Sequence, residues 1–439
     1  MIFGMFGGKR DDDDDDEDDE DERELCSFQG ALNGNVVDMK ANMRLAQAGL
    51  IPAKEIVTDA IERRAETVRV DIKGERGAST FYIDGVAFAG AKMPRPQTVA
   101  ITQMLKLLCG LDPKLKQPQA GGVKAEFQGT PYEVTIDTQP QPDGTERLTA
   151  RLRNLKIKIG TMEEAGFSAA TKAQIREFTS KKRGLVLIAG GPGSGVTTTA
   201  FAFLRGIDLF QYAAFTIVDM GSREVYNVQK FEPKPEDDLV QTYERIIRSE
   251  ADVIFSEPIK NADIAKADAG AADRVCVMGE MPAKDAASAI AQFTQWIGNP
   301  QQMSEVFQAA YSTKLIRLLC PACKEAFRPN PKLLAKVGLP PETKVLYRKP
   351  EPEPDEKTGE MPDPCEKCND VGYIGRTPML ELITASEGMK KIIADGAAMD
   401  QIKVQARTEG MLTFHKDGLR LVAEGKTSLE ELQRLFKTA

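Results

Sequence analysis

The stretch GLVLIAGGPGSGVTTT, residues 184–199, decides the fold of this 439-residue chain. The apolar residues 185–188 predict a buried strand, which a glycine-rich turn connects to a threonine-rich helix start. From Gly190 the spacing fits the phosphate-binding loop G-x-x-x-x-G-K-[ST], but Val196 stands at the lysine position. The stretch therefore predicts a phosphate site at a helix N-terminus, without the usual lysine.

A loop of this kind binds phosphate first through backbone N–H groups and second through the lysine charge. The candidate binding residues of the loop are Gly190, Gly191, Gly193, Ser194, Gly195, Val196, Thr197 and Thr198. Among them, the Thr197 hydroxyl is the candidate ligand for Mg(II). Losing a hydrogen bond to a charged group costs roughly 1.5–3 kcal/mol, so nucleotide binding is expected to weaken about 10- to 100-fold. The alternative is a loop kept only for its backbone shape.

Strands and helices alternate after this loop. Strand-like runs at 215–218, 253–255 and 274–278 are separated by helical patterns at 239–249, 264–269 and 286–296. Another helix, at 169–181, precedes the loop strand. Such alternation predicts parallel strands joined by crossover helices, which is an α/β fold.

The preceding part of the chain has a different pattern. Residues 39–66 are helix-rich with a break expected at Pro52, and a second helix is expected at 97–109. Alternating apolar residues predict strands at 67–72, 79–83, 123–127, 132–136 and 147–152. These elements predict an α+β domain with a mainly antiparallel sheet.

Charge is concentrated near the start of the sequence. Residues 1–24 carry a balance of −10, and the remainder carries +2, so no nucleic-acid partner is expected. The twelve acidic residues of 11–22 predict a disordered tail, either solubilising or a tether for a basic partner. No apolar run is long enough to span a membrane, and we expect a cytoplasmic protein.

Four of the seven cysteines form two C-x-x-C pairs, Cys320 with Cys323 and Cys365 with Cys368. Two such pairs supply four thiolates, which suit tetrahedral Zn(II) in a closed structural site. Coincidence and redox thiols are the alternatives. The other three cysteines lie in apolar surroundings and are expected to be buried.

Several stretches resemble the secretion ATPases of type II secretion and type IV pilus assembly. The order of the glycine loop, two acidic strand ends, CPAC, CEKC and GYIGRTPMLELI is similar to that family, as is the closing stretch GMLTFHKDGLRLVAEGKTSLEELQRL. YIDGVAF, at 82–88, is similar to the family's second N-terminal domain. The resemblance implies a RecA-like P-loop NTPase core with a preceding α+β, PAS-like domain, a four-cysteine zinc module and a helical C-terminal segment.

The chain departs from the family at the positions of chemistry. The loop lysine is Val196, and the acidic box keeps Asp219, a candidate nucleotide-site residue, but loses its glutamate. In the Walker B register Pro258 replaces the glutamate, so Glu257, one position away, is the candidate catalytic base; the alternative is a solvated carboxylate. The histidine box lacks histidine, and 278–281 (MGEM) stand near its place.

The resemblance and these departures together imply a degenerate family member. We expect a structural or regulatory subunit with weak or no ATP hydrolysis, which binds ATP and Mg(II) weakly. Its expected partners are secretion-ATPase paralogues or copies of itself in a ring (a hexamer) and the inner-membrane platform protein, which would hold it at the membrane periphery. An active ATPase with a non-standard phosphate contact and a zinc-stabilised adaptor without nucleotide remain alternatives.

The expected domains follow from these shifts of pattern along the chain. They are a tail at 1–24, an α+β domain at 25–160, a RecA-like domain at 161–319, a zinc module at 320–380 and a helical segment at 381–439.

Overall fold

A computed structural model describes residues 23–354, 357–359 and 361–437 of the chain. They form two compact units, of which the first ends at Lys156 and the second begins at Ile157. The predicted acidic tail lies outside the described residues, apart from Arg23 and Glu24. Among the helices described, none is both long and apolar enough to cross a membrane.

The first unit is an antiparallel sheet with two helices. Its described elements are, in chain order, β1 (Ser27–Ala31), α1 (Met43–Glu62), β2 (Thr67–Lys73), β3 (Arg76–Ile83), β4 (Val86–Pro94), α2 (Arg95–Leu108), β5 (Gln119–Phe127), β6 (Thr130–Pro140) and β7 (Glu146–Asn154). The strand order is β1-β5-β6-β7-β2-β3-β4, and every neighbouring pair is antiparallel. The predicted α+β domain with an antiparallel sheet is confirmed.

The core of the first unit lies between the sheet and the helices. Val68, Val70 and Ile72 alternate with less buried residues along β2, so one face of the strand is buried. Strands β1 and β4 were not predicted. In β4 no residue is fully buried, and its small Ala and Gly side chains give little alternation to detect.

The break expected at Pro52 is wrong, because α1 runs without interruption from Met43 to Glu62 with Pro52 inside it. A proline in a helix interior removes one hydrogen bond and crowds the preceding turn. After Pro52, Ala53, Ile56 and Val57 are buried in the core that α1 shares with α2. This burial outweighs the local preference of proline for a helix end.

The second unit has a mixed sheet with helices on both faces. Its described elements are α3 (Ala169–Ser180), β8 (Gly184–Ala189), α4 (Val196–Gly206), β9 (Ala214–Thr216), β10 (Val228–Lys230), α5 (Leu239–Arg248), β11 (Val253–Phe255), α6 (Ala262–Ala272), β12 (Cys276–Met281), α7 (Ala286–Ile297), α8 (Pro300–Val306), β13 (Phe307–Leu319), β14 (Glu325–Phe327), α9 (Pro331–Val337), β15 (Leu346–Arg348), β16 (Tyr373–Thr384), α10 (Glu387–Ala394), α11 (Met399–Thr408), α12 (Phe414–Ala423) and α13 (Leu429–Lys437).

The large sheet of this unit has the order β10-β9-β11-β12-β8-β13-β16. The first six strands are parallel to their neighbours, and β16 is antiparallel to β13. Along β8, Leu185 and Leu187 belong to one hydrophobic core, whereas Val186 and Ile188 belong to another. A strand buried on both faces needs helices on both sides, as the alternation of strands and helices predicted.

Two long strands that the sequence did not reveal complete the sheet. β13 and β16 pair in an antiparallel ladder that extends from Ala309 opposite Thr384 to Leu319 opposite Tyr373. Cys320 follows the end of β13 directly, and Cys368 precedes the start of β16 by a short turn. The ladder therefore brings the two cysteine pairs to one end of the sheet.

Candidate functional site

The glycine loop connects the carboxyl end of β8 to α4. The Gly190 N–H donates to the Met281 carbonyl at 3.2 Å, which ties the start of the loop to β12. Gly193 and Gly195 have φ of +75° and +81°, a left-handed backbone that side chains with a Cβ rarely adopt. The first N–H groups of a helix have no intrahelical partner, and the N-cap Gly195 has no side chain to bond to those of α4. Such free N–H groups at a helix N-terminus attract anions.

Thr197 is bonded to a carboxylate that the sequence did not assign. Its Oγ1 donates to Glu280 Oε1 at 3.2 Å. The parallel register sets Glu280 opposite Ile188 and Met281 opposite Ala189, so the carboxyl ends of β12 and β8 meet beside the loop. The sequence-based strand ended at 278, whereas β12 runs to Met281. Glu280 is therefore part of the strand that borders the loop.

The surroundings of Glu280 affect its ionisation in opposite directions. The net result is a raised pKa of Glu280, because burial outweighs the hydrogen bond from Thr197 and the charges of Arg223 and Lys260, which lower the pKa. The two cations therefore act on the carboxylate from nearby. Glu280 Oε2 and Ser194 Oγ are both buried, and neither has a hydrogen-bond partner in the part of the chain described.

Val196 gives the loop no positive charge. Its half-buried side chain packs against the core that contains Val186 and Ile188. The cations that precede β8 are engaged elsewhere, since Lys182 pairs with Asp252 at 2.9 Å and Arg183 pairs with Asp273 at 3.3 Å. They lie at the start of β8, the end opposite the loop.

Glu257 follows Ser256, which comes directly after the end of β11. Within the described residues its carboxylate accepts no hydrogen bond, and its charge raises the pKa of the buried Asp268. The structure therefore brings Glu280, and not Glu257, into contact with Thr197. A catalytic role for Glu257 stays a prediction.

Asp219 has a local structural contact. Its Oδ1 accepts from the Gly221 N–H at 3.0 Å, at the start of the short 3-10 helix Gly221–Arg223. The Asp219 residue is exposed. Its role toward a nucleotide stays a prediction.

The two cysteine pairs form one cluster that can hold a metal ion. The four sulfur atoms lie within 4.8 Å of one another. Cys320 Sγ lies 4.0 Å from Cys365 Sγ, and Cys323 Sγ lies 3.5 Å from Cys368 Sγ. A tetrahedron with metal–sulfur bonds of about 2.3 Å has sulfur atoms about 3.8 Å apart, between these two distances.

Backbone N–H groups support the thiolates of this cluster. The Gly372 N–H donates to Cys368 Sγ at 3.3 Å. Backbone N–H groups at Cys368 and Lys367 lower the pKa of Cys365 to about 7. Asn369 and Asp370 have positive φ, which closes the turn after the second pair. Cys365 is therefore the thiol whose deprotonated, metal-binding form is favoured, whereas burial raises the pKa of Cys323 and of Cys368. The other cysteines, Cys26, Cys109 and Cys276, are buried, as predicted.

Sequence reasoning missed the role of Glu280, although the signal was present. An acid in the apolar strand sequence CVMGEM is unusual for a buried parallel strand, which reads as a continuous apolar run. The family resemblance places 278–281 near the histidine box, and the sequence alone assigns Glu280 no role.

Comparisons with known proteins agree with this geometry. A family model described as "Type II/IV secretion system protein" matches residues 47–434. The type IV pilus assembly ATPase PilB of Thermus thermophilus is 27% identical over 387 residues, which cover 86% of this chain and 42% of the relative. Type II secretion system protein E of Xanthomonas campestris is 23% identical over 391 residues, which cover 88% and 66%. The chain thus matches less than two thirds of the length of either relative.

The fold is shared with a solved structure. The X-ray structure of the Legionella pneumophila ATPase DotB has a TM-score of 0.53 with this chain at 11% identity, covering 89% of this chain and 96% of DotB. At that identity the likeness concerns the fold alone. The predicted RecA-like α/β fold class is confirmed, with its preceding α+β part and its C-terminal helices.

Proposed function

The chain belongs to the type II/IV secretion system protein family, and from this membership we propose that it is a subunit of a type II secretion or type IV pilus assembly apparatus with a degenerate nucleotide site. It binds ATP and Mg(II) weakly and hydrolyses ATP slowly or not at all. Its contribution to the apparatus is structural or regulatory.

The composition of the loop carries this proposal. Val196 supplies no charge, and the side chain that contacts Thr197 is the carboxylate of Glu280. Charge develops on the transferred phosphoryl group during hydrolysis and has to be met by fixed cations and a positioned water. Removing a single fixed donor typically costs about 100- to 1000-fold in rate. The backbone N–H groups of the loop retain their ability to bind phosphate, so binding persists better than catalysis.

The proposed assembly follows from the family. The subunit joins a ring, a hexamer, with copies of itself or with secretion-ATPase paralogues, and it contacts the inner-membrane platform protein. It is therefore cytoplasmic and peripheral to the inner membrane through its partners. The cluster of Cys320, Cys323, Cys365 and Cys368 holds a structural Zn(II), which suits four thiolates without an open position.

A second candidate function is an active ATPase with a non-standard phosphate contact. The charges of Arg223 and Lys260 both act on Glu280, so two cations lie near the loop. In this alternative one of them replaces the missing lysine. The two candidates differ in turnover, which one assay measures.

The test is steady-state hydrolysis of Mg-ATP by the full chain, with ATP binding measured by calorimetry. We expect weak binding and no turnover above that of a Thr197→Val control. Robust turnover that Glu257→Gln abolishes would overturn the proposal in favour of the active ATPase. Failure to bind ATP at millimolar concentration would also overturn it, in favour of the zinc-stabilised adaptor.

A further inference from the structure

The Glu280 carboxylate lies beside the glycine loop, where a negative charge without a neighbouring cation opposes the binding of a phosphate. It borders a loop whose open N–H groups attract anions, and it contacts the hydroxyl of Thr197 at 3.2 Å. A nucleotide phosphate bound there meets a negative charge at close range. Val196 supplies no positive charge, and the hydrogen bond that the described residues make to this carboxylate comes from Thr197.

Two buried oxygen atoms at the same place lack partners. Glu280 Oε2 and Ser194 Oγ are inaccessible to solvent, and no described residue hydrogen-bonds to either. Buried polar atoms are almost always paired, with protein or with ordered water, so unpaired atoms that belong to one loop and its bordering strand indicate a ligand. The ligand that suits an acidic carboxylate and hydroxyl groups is a hard cation.

The spacing of the Thr197 and Glu280 oxygens suits such a cation. Mg(II) holds its oxygen ligands at about 2.0–2.1 Å in octahedral geometry, which places neighbouring ligands about 3.0 Å apart. The observed separation of 3.2 Å is close to that value. A hydrogen bond gives the same spacing, so it is the buried Oε2 without a partner that indicates a cation.

A cation also changes the electrostatics of the loop. A bound divalent ion is the largest local charge in a phosphate site and inverts the effect of nearby acids. With the ion present, the Glu280 carboxylate favours phosphate binding through the metal. Without the ion, the same carboxylate opposes phosphate binding.

We propose that Thr197 and Glu280 together hold a divalent cation at the phosphate loop, and that β12 supplies the carboxylate instead of the acidic positions Asp219 and Glu257. Nucleotide binding to this chain is consequently dependent on the cation. The inference rests on the proposed function only in that the loop still binds a nucleotide, and it does not require hydrolysis.

The experiment measures binding of Mn(II) to the full chain by electron paramagnetic resonance, with and without ADP. ADP is used so that turnover has no influence on the result. We expect Mn(II) to bind with ADP, and Glu280→Gln to weaken this binding by at least the roughly 10- to 100-fold typical of losing a group that supports a metal. Thr197→Val is expected to weaken it as well, which gives a second variant if Glu280→Gln fails to fold.

Glu305→Gln is the matched control, because it makes the same change at an exposed glutamate of α8. It is expected to leave Mn(II) binding as in the unaltered chain. Two outcomes would overturn the proposal. One is ADP binding that becomes tighter and independent of Mn(II) in Glu280→Gln, which means that the carboxylate only repels phosphate. The other is loss of Mn(II) binding in Glu257→Gln while Glu280→Gln retains it.

These outcomes are separate from those of the proposed function. Rapid ATP turnover with Mn(II) bound through Glu280 overturns the degenerate assignment and leaves the cation site intact. Slow turnover, together with Mn(II) binding that Glu280→Gln does not change, overturns the cation site and leaves the degenerate assignment intact.

Discussion

Val196 and Glu280 are two single residues that change what the loop offers a phosphate. The valine removes a positive charge from the helix start, and the glutamate brings a negative charge to the Thr197 hydroxyl. Both act within one turn of the N-terminus of α4, where the interaction of the helix dipole with an anion is strongest. Their effects are measurable one residue at a time.

Val196→Lys is expected to tighten ATP binding about 10- to 100-fold without restoring turnover. A charged hydrogen-bond donor to phosphate is worth roughly 1.5–3 kcal/mol, whereas hydrolysis also needs a positioned water and further fixed charges, which the proposed degenerate site does not provide. Calorimetry gives the affinity and a steady-state assay gives the rate. Val196→Met is the control, because it adds length without charge and is expected to leave the affinity unchanged. An equal gain in the methionine variant would contradict the charge argument.

Asp268 is a fully buried carboxyl in the same unit. Ser256 Oγ donates to it at 2.8 Å, and Tyr243 OH in turn donates to Ser256 Oγ at 3.0 Å. Burial, with a smaller contribution from the Glu257 charge, raises the pKa of Asp268 to about 7, although hydrogen bonds with Ser256 and Tyr243 lower it. Asp268 is therefore expected to hold its proton in the folded chain at a pH where the unfolded chain has released it.

This predicts stability that falls as pH rises through about 7. Because the folded state binds the extra proton, its advantage is complete below the unfolded pKa and is lost above the folded pKa. Between pH 6 and pH 8 the free energy of unfolding is expected to fall by about 1.4 kcal/mol relative to Asp268→Asn, which does not titrate. Urea unfolding followed by the fluorescence of Trp296, the single tryptophan, measures this difference.

Asp273→Asn provides the control, since it makes the same change at the exposed end of α6. A difference between the unaltered chain and Asp268→Asn that stays constant from pH 6 to pH 8 would mean that Asp268 does not titrate in this range.

At the scale of elements, the helix α1 shows how packing overrides local preference. Pro52 lies inside α1, yet the helix continues through it because its second half is buried against the sheet and α2. The sequence pattern around the proline predicted a break, which is the ordinary outcome where no such burial exists.

Pro52→Ala is expected to stabilise the first unit by about 1–3 kcal/mol. An interior proline costs up to about 3 kcal/mol relative to alanine, and part of this is offset by the stiffer unfolded chain. Calorimetry of the full chain measures the transition of this unit. Pro94→Ala, at the extended N-cap of α2, removes a proline where no helical bond is missing and is expected to give no gain. A loss of stability in Pro52→Ala would show that ring contacts of Pro52 outweigh the missing bond.

In the whole molecule, the long ladder of β13 and β16 brings the four cysteines of the cluster together. Cys320 and Cys365 are 45 positions apart in sequence and 4.0 Å apart at their sulfur atoms. A closed four-thiolate site cross-links the two segments in the folded state, so the metal is expected to stabilise the second unit.

Metal analysis of the purified full chain is expected to give about one zinc per molecule. Cys323→Ser is expected to lose the zinc and to lower the unfolding temperature of the second unit, while the transition of the first unit stays unchanged. Cys276→Ser is the control, because this buried cysteine lies outside the cluster and its loss is expected to leave the zinc content intact. A metal-free chain with unchanged stability would contradict a structural zinc site.

Many helices and strands could be predicted from the local pattern of apolar residues in the sequence. The strand at 253–255 was predicted with the bounds that β11 has, and the helix predicted to begin at 286 begins there. Strong apolar periodicity and a nearby cap, such as Asp285 before α7, carry that information within a few residues. By contrast, β13 and β16 were not predicted, because their identity as strands depends on each other and on β8 across long sequence separations.

The glycine loop, its missing lysine and the two cysteine pairs could be recognised in the sequence, because each of these is a property of neighbouring residues. The carboxylate that meets Thr197 could not, because that contact is made only in the folded chain. That contact depends on the register between β12 and β8, two strands almost ninety residues apart that are aligned by cores on both faces of the sheet. Register is set by packing over the whole sheet, and a slip of one residue would turn Glu280 to the other face.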